Sequence, residues 1–412
     1  MNKQKGIFSL IVIVAALGYF VDLYDLVLFG VVRDDSLKSL GFSRQALREA
    51  GVSLFNYQMA GFLIGGIIWG IFGDIRGRLS VLFGTIILYS AANIANGFVH
   101  DLTSYSILRF IAGIGLAGEL GVGITLVSES LPIEKRTLGT MLVVVFGALG
   151  AVVAAEVGDI GWRTAYFVGG GLGFVLLLLR IGTHESAIYK NISKSKVRKG
   201  SFHELFTSKV RFLKYLSCIC IGLPVWFTVG VLIFYAKDFA GIIGVKGTVV
   251  VGKCIMYSYF GLAAGDLCCG LLSYYLKSRR KAILIFLATS VISFVWYFLV
   301  KDISLAYFYF LTFILGAFTG YWGIFVTIAA EQFGTNLRAT VTTTVPNFVR
   351  GAAVPITLSY VALQKSLGVL YSAGIVGGVC IGLALVSIVS IKETFSKDLD
   401  YIEELDKTAK QK

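Results

Sequence analysis

Two aspartates stand three residues apart in an apolar run near the N-terminus, Asp22 and Asp25 of VDLYDLVLFG. That spacing places both on one helix face. An ionised carboxylate inside a bilayer is costly, so such acids are candidates for carrying protons or meeting substrate. Two guanidinium groups are equally out of place. Arg109 opens a Gly-rich apolar run, LRFIAGIGLAGELGVGITLV, and Arg350 sits in the middle of another, VPNFVRGAAVP. A guanidinium there needs a partner or an aqueous cavity, and its planar fork suits a carboxylate or phosphate. At about 1.5 Å per residue, Asp25 and Arg109 reach similar depth from opposite chain directions, which makes them an ion-pair candidate. Asn347 shares the helix face of Arg350.

A second set of charges forms a repeat. Glu129 is followed seven residues later by Arg136 in SESLPIEKR, and Glu331 by Arg338 in AEQFGTNLR. Both members shift by 202 residues, from 129 to 331 and from 136 to 338. Each copy follows a Gly-rich apolar run. A duplicated membrane unit with a site between its halves is a transporter's design.

Those residues need elements to hold them. Hydrophobic residues make up 56% of the 412 and charged residues only 15%. A spanning helix needs about 20 apolar residues, and only helices or closed barrels satisfy their backbone in lipid. The runs are too long and too uniformly apolar for barrel strands of about ten residues. Twelve helical spans are expected, near 7–32, 50–72, 79–98, 104–128, 137–158, 162–181, 213–236, 250–276, 282–300, 305–330, 339–361 and 368–391. The fold class is all-α and integral to the membrane, in two pseudo-symmetric six-helix bundles. The bundles are expected over 1–181 and 213–391, joined by a linker over 182–212 with a short surface helix at SFHELF. The polar tail, 392–412, reads as a short cytoplasmic helix that frays.

The net charge of +13 is concentrated in short loops on the side that carries both termini. The positive-inside rule places that side, and both termini, in the cytoplasm of a bacterial inner membrane. The same clustering argues against nucleic acid as a partner. No Walker loop is present, so ATP does not drive the protein directly. The three His and six Cys form no metal-ligand cluster, and no cofactor is expected. The Cys lie in apolar runs as small packing residues.

GDIRGRL, residues 73–79, joins the second run to the third. With LRFIAGIGLAGE and the Glu129–Arg136 pair, it resembles the major facilitator superfamily along nearly the whole chain. The resemblance implies a cytoplasmic latch in which Asp74 and Arg78 join Glu129 and Arg136. Glu331 and Arg338 are its second copy, where LLSYYLKSRRK keeps the cations but has Tyr274 in place of the acid. VDLYDLVLFG is similar to the acid-x-x-Asp pattern of metabolite:proton symporters. Tyr24–Asp25 also resembles the first-helix acid of sugar porters, which pairs with the Arg opening the fourth span. The resemblance thus implies proton coupling at Asp25 and Arg109, with Asp22 lining substrate or sharing the proton. An Arg placed like Arg350 is similar to the substrate contact of organic anion transporters.

Glu119 either faces a cavity or ties the fourth span to a neighbour. Asn56, Gln58, Trp226, Tyr321 and Trp322 are further candidates for lining it. The expected protein is a monomeric secondary transporter of a small organic acid or related polar metabolite, moved inward with protons by alternating access. A sugar:proton symporter and a proton-driven efflux antiporter are the alternatives. A membrane sensor on the same fold is the most distant one. No catalytic constellation is present, so an enzyme is not expected.

Overall fold

The computed structural model describes residues 8–181, 183, 185, 186, 188, 189 and 198–403. The first half contains α1 (Leu10–Ser39), α2 (Arg44–Arg76), α3 (Arg78–Asn96), α4 (Leu102–Leu116), α5 (Glu119–Ser130), α6 (Ile133–Gly158) and α7 (Trp162–Leu179). A single turn, α8 (Glu204–Thr207), lies in the linker. The second half contains α9 (Lys209–Phe227), which runs into a π-helical segment at Thr228–Ile233, then α10 (Ala236–Ile243) and α11 (Val251–Leu276). It continues with α12 (Arg279–Leu299), α13 (Leu305–Phe318), α14 (Trp322–Gln332), α15 (Arg338–Gly351) and α16 (Ala353–Ser390).

Among the described residues, eleven helical stretches are long and apolar enough to cross a membrane. The last, Arg338–Ser390, has 53 residues. At about 1.5 Å per residue it would be about 80 Å long, more than twice a bilayer core. Gly368 breaks it with φ 76°, a backbone state that glycine adopts freely. It therefore counts as two spans, and the total is twelve. The first span is longer than expected, ending at Ser39 rather than near 32. Its polar end, VVRDDSLKS, continues the helix beyond the apolar stretch because nothing in it breaks a helix.

Three spans are broken, the eleventh at Ala352 between α15 and α16 and two others at matching points of the repeat. The fourth breaks at Ala117–Gly118 between α4 and α5, and the tenth between Phe318 and Trp322. Interrupted helices at corresponding positions of two halves mark the neighbourhood of a transporter's binding site. Glycine permits the tight packing that supports them. Gly61 of α2 meets Gly113 of α4 backbone to backbone, and Gly261 of α11 meets Phe313 and Ala317 of α13 in the same way. A side chain at Gly61 or Gly261 would strike the opposing carbonyl. Across the halves, α15 packs on α2 and α5, and α11 and α14 pack on α6.

The tail is not helical where it is described, through Glu403; residues 404–412 lie outside the described chain. Its backbone bonds to the loop between α14 and α15 instead of to itself. Thr335 N–H donates to the Tyr401 carbonyl at 2.9 Å, and Glu403 N–H donates to Asn336 Oδ1 at 2.9 Å.

Candidate functional site

A small cavity of about 30 Å³ lies between the halves. That is room for about one water. Tyr19, Val144 and Ala148 line it from the first half; Trp226, Tyr259, Asp266, Trp322 and Arg350 line it from the second. Arg350 reaches across the seam to Asp22, with Nη2 donating to Oδ2 at 2.7 Å and Nη1 to Oδ1 at 3.4 Å. Its guanidinium lies over the Phe62 ring at 4.6 Å, and its Nε is buried without a partner.

A second cavity of about 60 Å³ shares Trp226 and Tyr259 with the first. It also shares Phe55 and Phe234 with an open cleft of about 840 Å³. Phe55 comes from α2 and Phe234 from the end of the π-helical segment, and their ring centroids are 6.2 Å apart. This aromatic pair thus stands between the buried cavities and the cleft. The π segment follows Pro224 by one turn, and its wider backbone bonds, Phe234 N–H to the Val229 carbonyl at 3.1 Å among them, set the position of Phe234 at this gate. Asn56 is exposed on the cleft wall, one helix position from Phe55.

Asp25 and Arg109 form a bidentate pair at 2.7 and 3.1 Å, fully buried within the first half. Rings of Phe29 and Tyr166 flank the guanidinium at 5.5 and 5.4 Å, and Asn93 Oδ1 lies 3.4 Å from Nη1. The pair does not line the cavity. Asp22 and Asp25 sit on neighbouring faces of α1, yet one is tied to the second half and the other to α4.

The face opposite the cleft is closed by a charged latch. Glu129 Oε1 accepts from Arg78 Nη2 and from Arg338 Nη1, both at 2.9 Å, and Glu129 Oε2 accepts from Ser186 at 2.6 Å. Asp74 stands 3.5 Å from Arg78 and accepts from the N–H groups of Ala339 and Thr340 at 3.0 and 2.9 Å. It thereby caps the start of α15 in the other half. Arg136 is a correction: it does not pair with Glu129. Its Nη1 donates to the Lys397 carbonyl of the tail at 3.1 Å, close enough to Glu331 to feel its charge. The two repeats have exchanged partners, since Arg338 of the second half takes the place at Glu129. Glu331 pairs with Arg279 at 2.9 Å, and Arg279 also donates to Thr137 of the first half at 2.8 Å. Further hydrogen bonds cross the seam, Thr125 to Thr342 at 2.6 Å and Thr327 to Thr140 at 3.1 Å.

Other candidates lie elsewhere than at the cavity. Glu119 is held by Arg180 at the end of α7 and by Thr85 at 2.5 Å, so it ties the fourth span to its neighbours. Tyr321 is buried and donates to the Ile221 carbonyl at 3.0 Å. Gln58 is buried on α2 with its amide unpaired and lines none of the three cavities. Asn347 seals the seam, its Nδ2 donating to Ala117 O at 2.7 Å. Trp226 and Trp322 do line the cavity. Sequence reasoning missed Tyr19, although it lies three residues before Asp22 on the same face. Among the described residues no group of three or more His, Cys, Asp or Glu is arranged to hold a metal.

Two halves, a cavity between them, a cleft on one face and a charged latch on the other are the layout of a membrane carrier. Residues 9–356 match the Major Facilitator Superfamily. The chain belongs to that superfamily. A Bacillus subtilis protein assigned as a niacin/nicotinamide transporter is 27% identical over 421 residues, covering 97% of this chain and 100% of that one. The sialic acid transporter of Escherichia coli is 26% identical over 379 residues, covering 89% of each chain. In fold, the proton:xylose symporter XylE bound to 6-bromo-6-deoxy-D-glucose matches 96% of this chain and 98% of its own, with TM-score 0.72 and 17% identity. This superfamily member is a multi-pass membrane transporter of small metabolites, not an enzyme.

Proposed function

We propose that this transporter carries a small organic acid inward by proton-coupled symport. One observation carries the reading: at the central cavity, the guanidinium of Arg350 is held across the seam by a carboxylate, that of Asp22. A substrate carboxylate has the shape and charge to take Asp22's place on that fork. Exchange of one carboxylate for another frees the first-half residue from the second, which is what rocking of the halves requires. Niacin and sialic acid, named for two relatives, are both carboxylic acids.

With both termini in the cytoplasm, the latch is cytoplasmic and the cleft faces outward. The state described is therefore outward-facing, with the substrate path closed at Phe55 and Phe234. The bundles are 1–181 and 213–391, and each monomer is a complete carrier. A proton arriving at Asp25 removes its charge and releases Arg109. Two buried aromatic rings and Asn93 then remain around the guanidinium, an arrangement that favours a change of helix packing. Proton arrival and helix movement are thus linked.

The test is uptake into proteoliposomes with an imposed pH gradient, using labelled niacin. Accumulation against its gradient with the acid side outside is expected. In Asp25→Asn, accumulation should vanish while exchange of labelled for unlabelled substrate continues. Gradient-independent uptake by the wild type, or accumulation by Asp25→Asn, would overturn the coupling.

A further inference from the structure

The buried acids of the spans each have an arginine, with one exception. Asp22, Asp25, Asp74, Glu119, Glu129 and Glu331 are all paired with guanidinium groups. Asp266 of α11 is buried, lines the central cavity, and has no salt bridge among the described residues. Its Oδ1 accepts from Gly323 N–H at 2.8 Å, in the first turn of α14. That contact caps the second piece of the broken tenth span, and the helix end favours the carboxylate as an anion. It does not supply a counter-charge.

The same cavity has two buried donors without partners, Trp322 Nε1 and Arg350 Nε. Unpaired buried polar groups are uncommon and need a reason. Four aromatic side chains, Tyr19, Trp226, Tyr259 and Trp322, surround them. With Asp22, Arg350 and Asp266 all ionised, the cavity's groups sum to one negative charge. A simple monoanion would add a second negative charge. A compound with a carboxylate at one end and a cationic group at the other adds none.

We propose that Asp266 is a specificity-determining residue that receives the positive or N–H pole of an amphoteric substrate whose carboxylate occupies Arg350. The substrate class is then a small, flat, ring-bearing amino or ammonium carboxylate, held by charge at both ends and by aromatic faces between, once release of Asp22 from Arg350 widens the cavity beyond its closed volume of about 30 Å³. Aromatic walls favour a cation over a neutral group at the same place. The inference rests on the Arg350 reading and narrows it.

The experiment uses two rings of matched shape, a benzoate methylated at position 3 and N-methylpyridinium-3-carboxylate, titrated calorimetrically into the purified protein. The wild type should bind the zwitterion at least about tenfold more tightly, the lower end of the coupling between two close charges shielded from water. Asp266→Asn should remove that preference and leave binding of the benzoate unchanged or improved, and Asp266→Glu should retain it. Equal or tighter binding of the benzoate by the wild type would overturn the proposal, and this comparison needs no variant to fold. Equal loss of both ligands in a folded Asp266→Asn would also overturn it, leaving only the helix cap. Failure of the underlying reading looks different: neither carboxylate binds the wild type, or both bind Arg350→Ala undiminished.

Discussion

Glu129→Gln should open the latch. Glu129 is the acceptor that holds Arg78 of its own half and Arg338 of the other, each at 2.9 Å. The substitution keeps the shape and removes the charge, leaving two buried guanidinium groups with Asp74 as the nearest acid, 3.5 Å from Arg78. Breaking a buried pair costs about 3–5 kcal/mol. Both arginines keep carbonyl partners, Gly73 at 2.8 Å for Arg78 and Ala330 at 3.0 Å for Arg338, so the lower end applies. About 3 kcal/mol, confined to the latch-closed state, moves the closed-to-open ratio by about 100-fold. The assay is spin-label distance measurement, in a background with Cys220 and Cys268 replaced by Ser. One label pair sits at exposed Arg76 and Lys277 on the latch face, the other at exposed His100 and Lys301 on the cleft face. The latch-face distance should lengthen and the cleft-face distance shorten. Unchanged distributions in a folded variant would refute the reasoning, because the latch would then hold no bias between states.

Three further outcomes follow from the same geometry. Ionised Asp22 competes with substrate for Arg350, so wild-type affinity for carboxylates should fall as pH rises; in Asp22→Asn the profile should flatten and affinity near neutral pH should rise about tenfold, and a pH profile that keeps its slope would count against the competition. Truncation after Thr394 removes the Lys397 and Leu399 carbonyls that accept from Arg136 at 3.1 Å and Arg338 at 2.6 Å. It should shift the latch-face distances in the direction of Glu129→Gln, and a truncated chain with wild-type distances would show the tail to be a passenger. Glu393 lies outside the spans and caps α12. Its burial acts to raise its pKa, but the Ser278 hydroxyl and the Phe395, Arg279 and Thr394 N–H groups outweigh that and hold it below its ordinary value. A depressed carboxylate contributes stability above its unfolded pKa and loses it as pH falls through the folded one. Glu393→Gln should therefore lower Tm at neutral pH, with the gap to wild type closing as the pH drops below the ordinary carboxylate range.

The spans were legible because the bilayer imposes length and polarity on each one separately. Asp25 and Arg109 were legible for a related reason: depth along a helix can be counted, and two charges at one depth within one half find each other. The repeat of Glu129 and Arg136 at Glu331 and Arg338 was also readable, but not who pairs with whom. A two-fold relation between halves exchanges partners, so Arg338 stands at Glu129 and Arg136 turns to the tail and Glu331. The pairing of Asp22 with Arg350, 328 residues apart, depends on which face of each helix meets the other half, and periodicity within one span does not fix that. Glu119 was open between cavity and neighbour because its partner, Arg180, stands at a helix end that reads equally well as a topology anchor. The tail was read as helical from its composition. Its backbone is instead committed to the latch loop, a tertiary competition that local propensity does not register.

The central claim is that Arg350 binds the substrate's carboxylate, and calorimetric titration of niacin tests it most directly. Asp22→Asn/Arg350→Ala removes the pair together, so no buried charge is left behind and the fold is kept. Niacin should bind the wild type, bind Asp22→Asn more tightly, and bind the double variant at least about 30-fold more weakly, within the cost of removing one partner of a buried charge pair. Unchanged affinity in a folded double variant would contradict it.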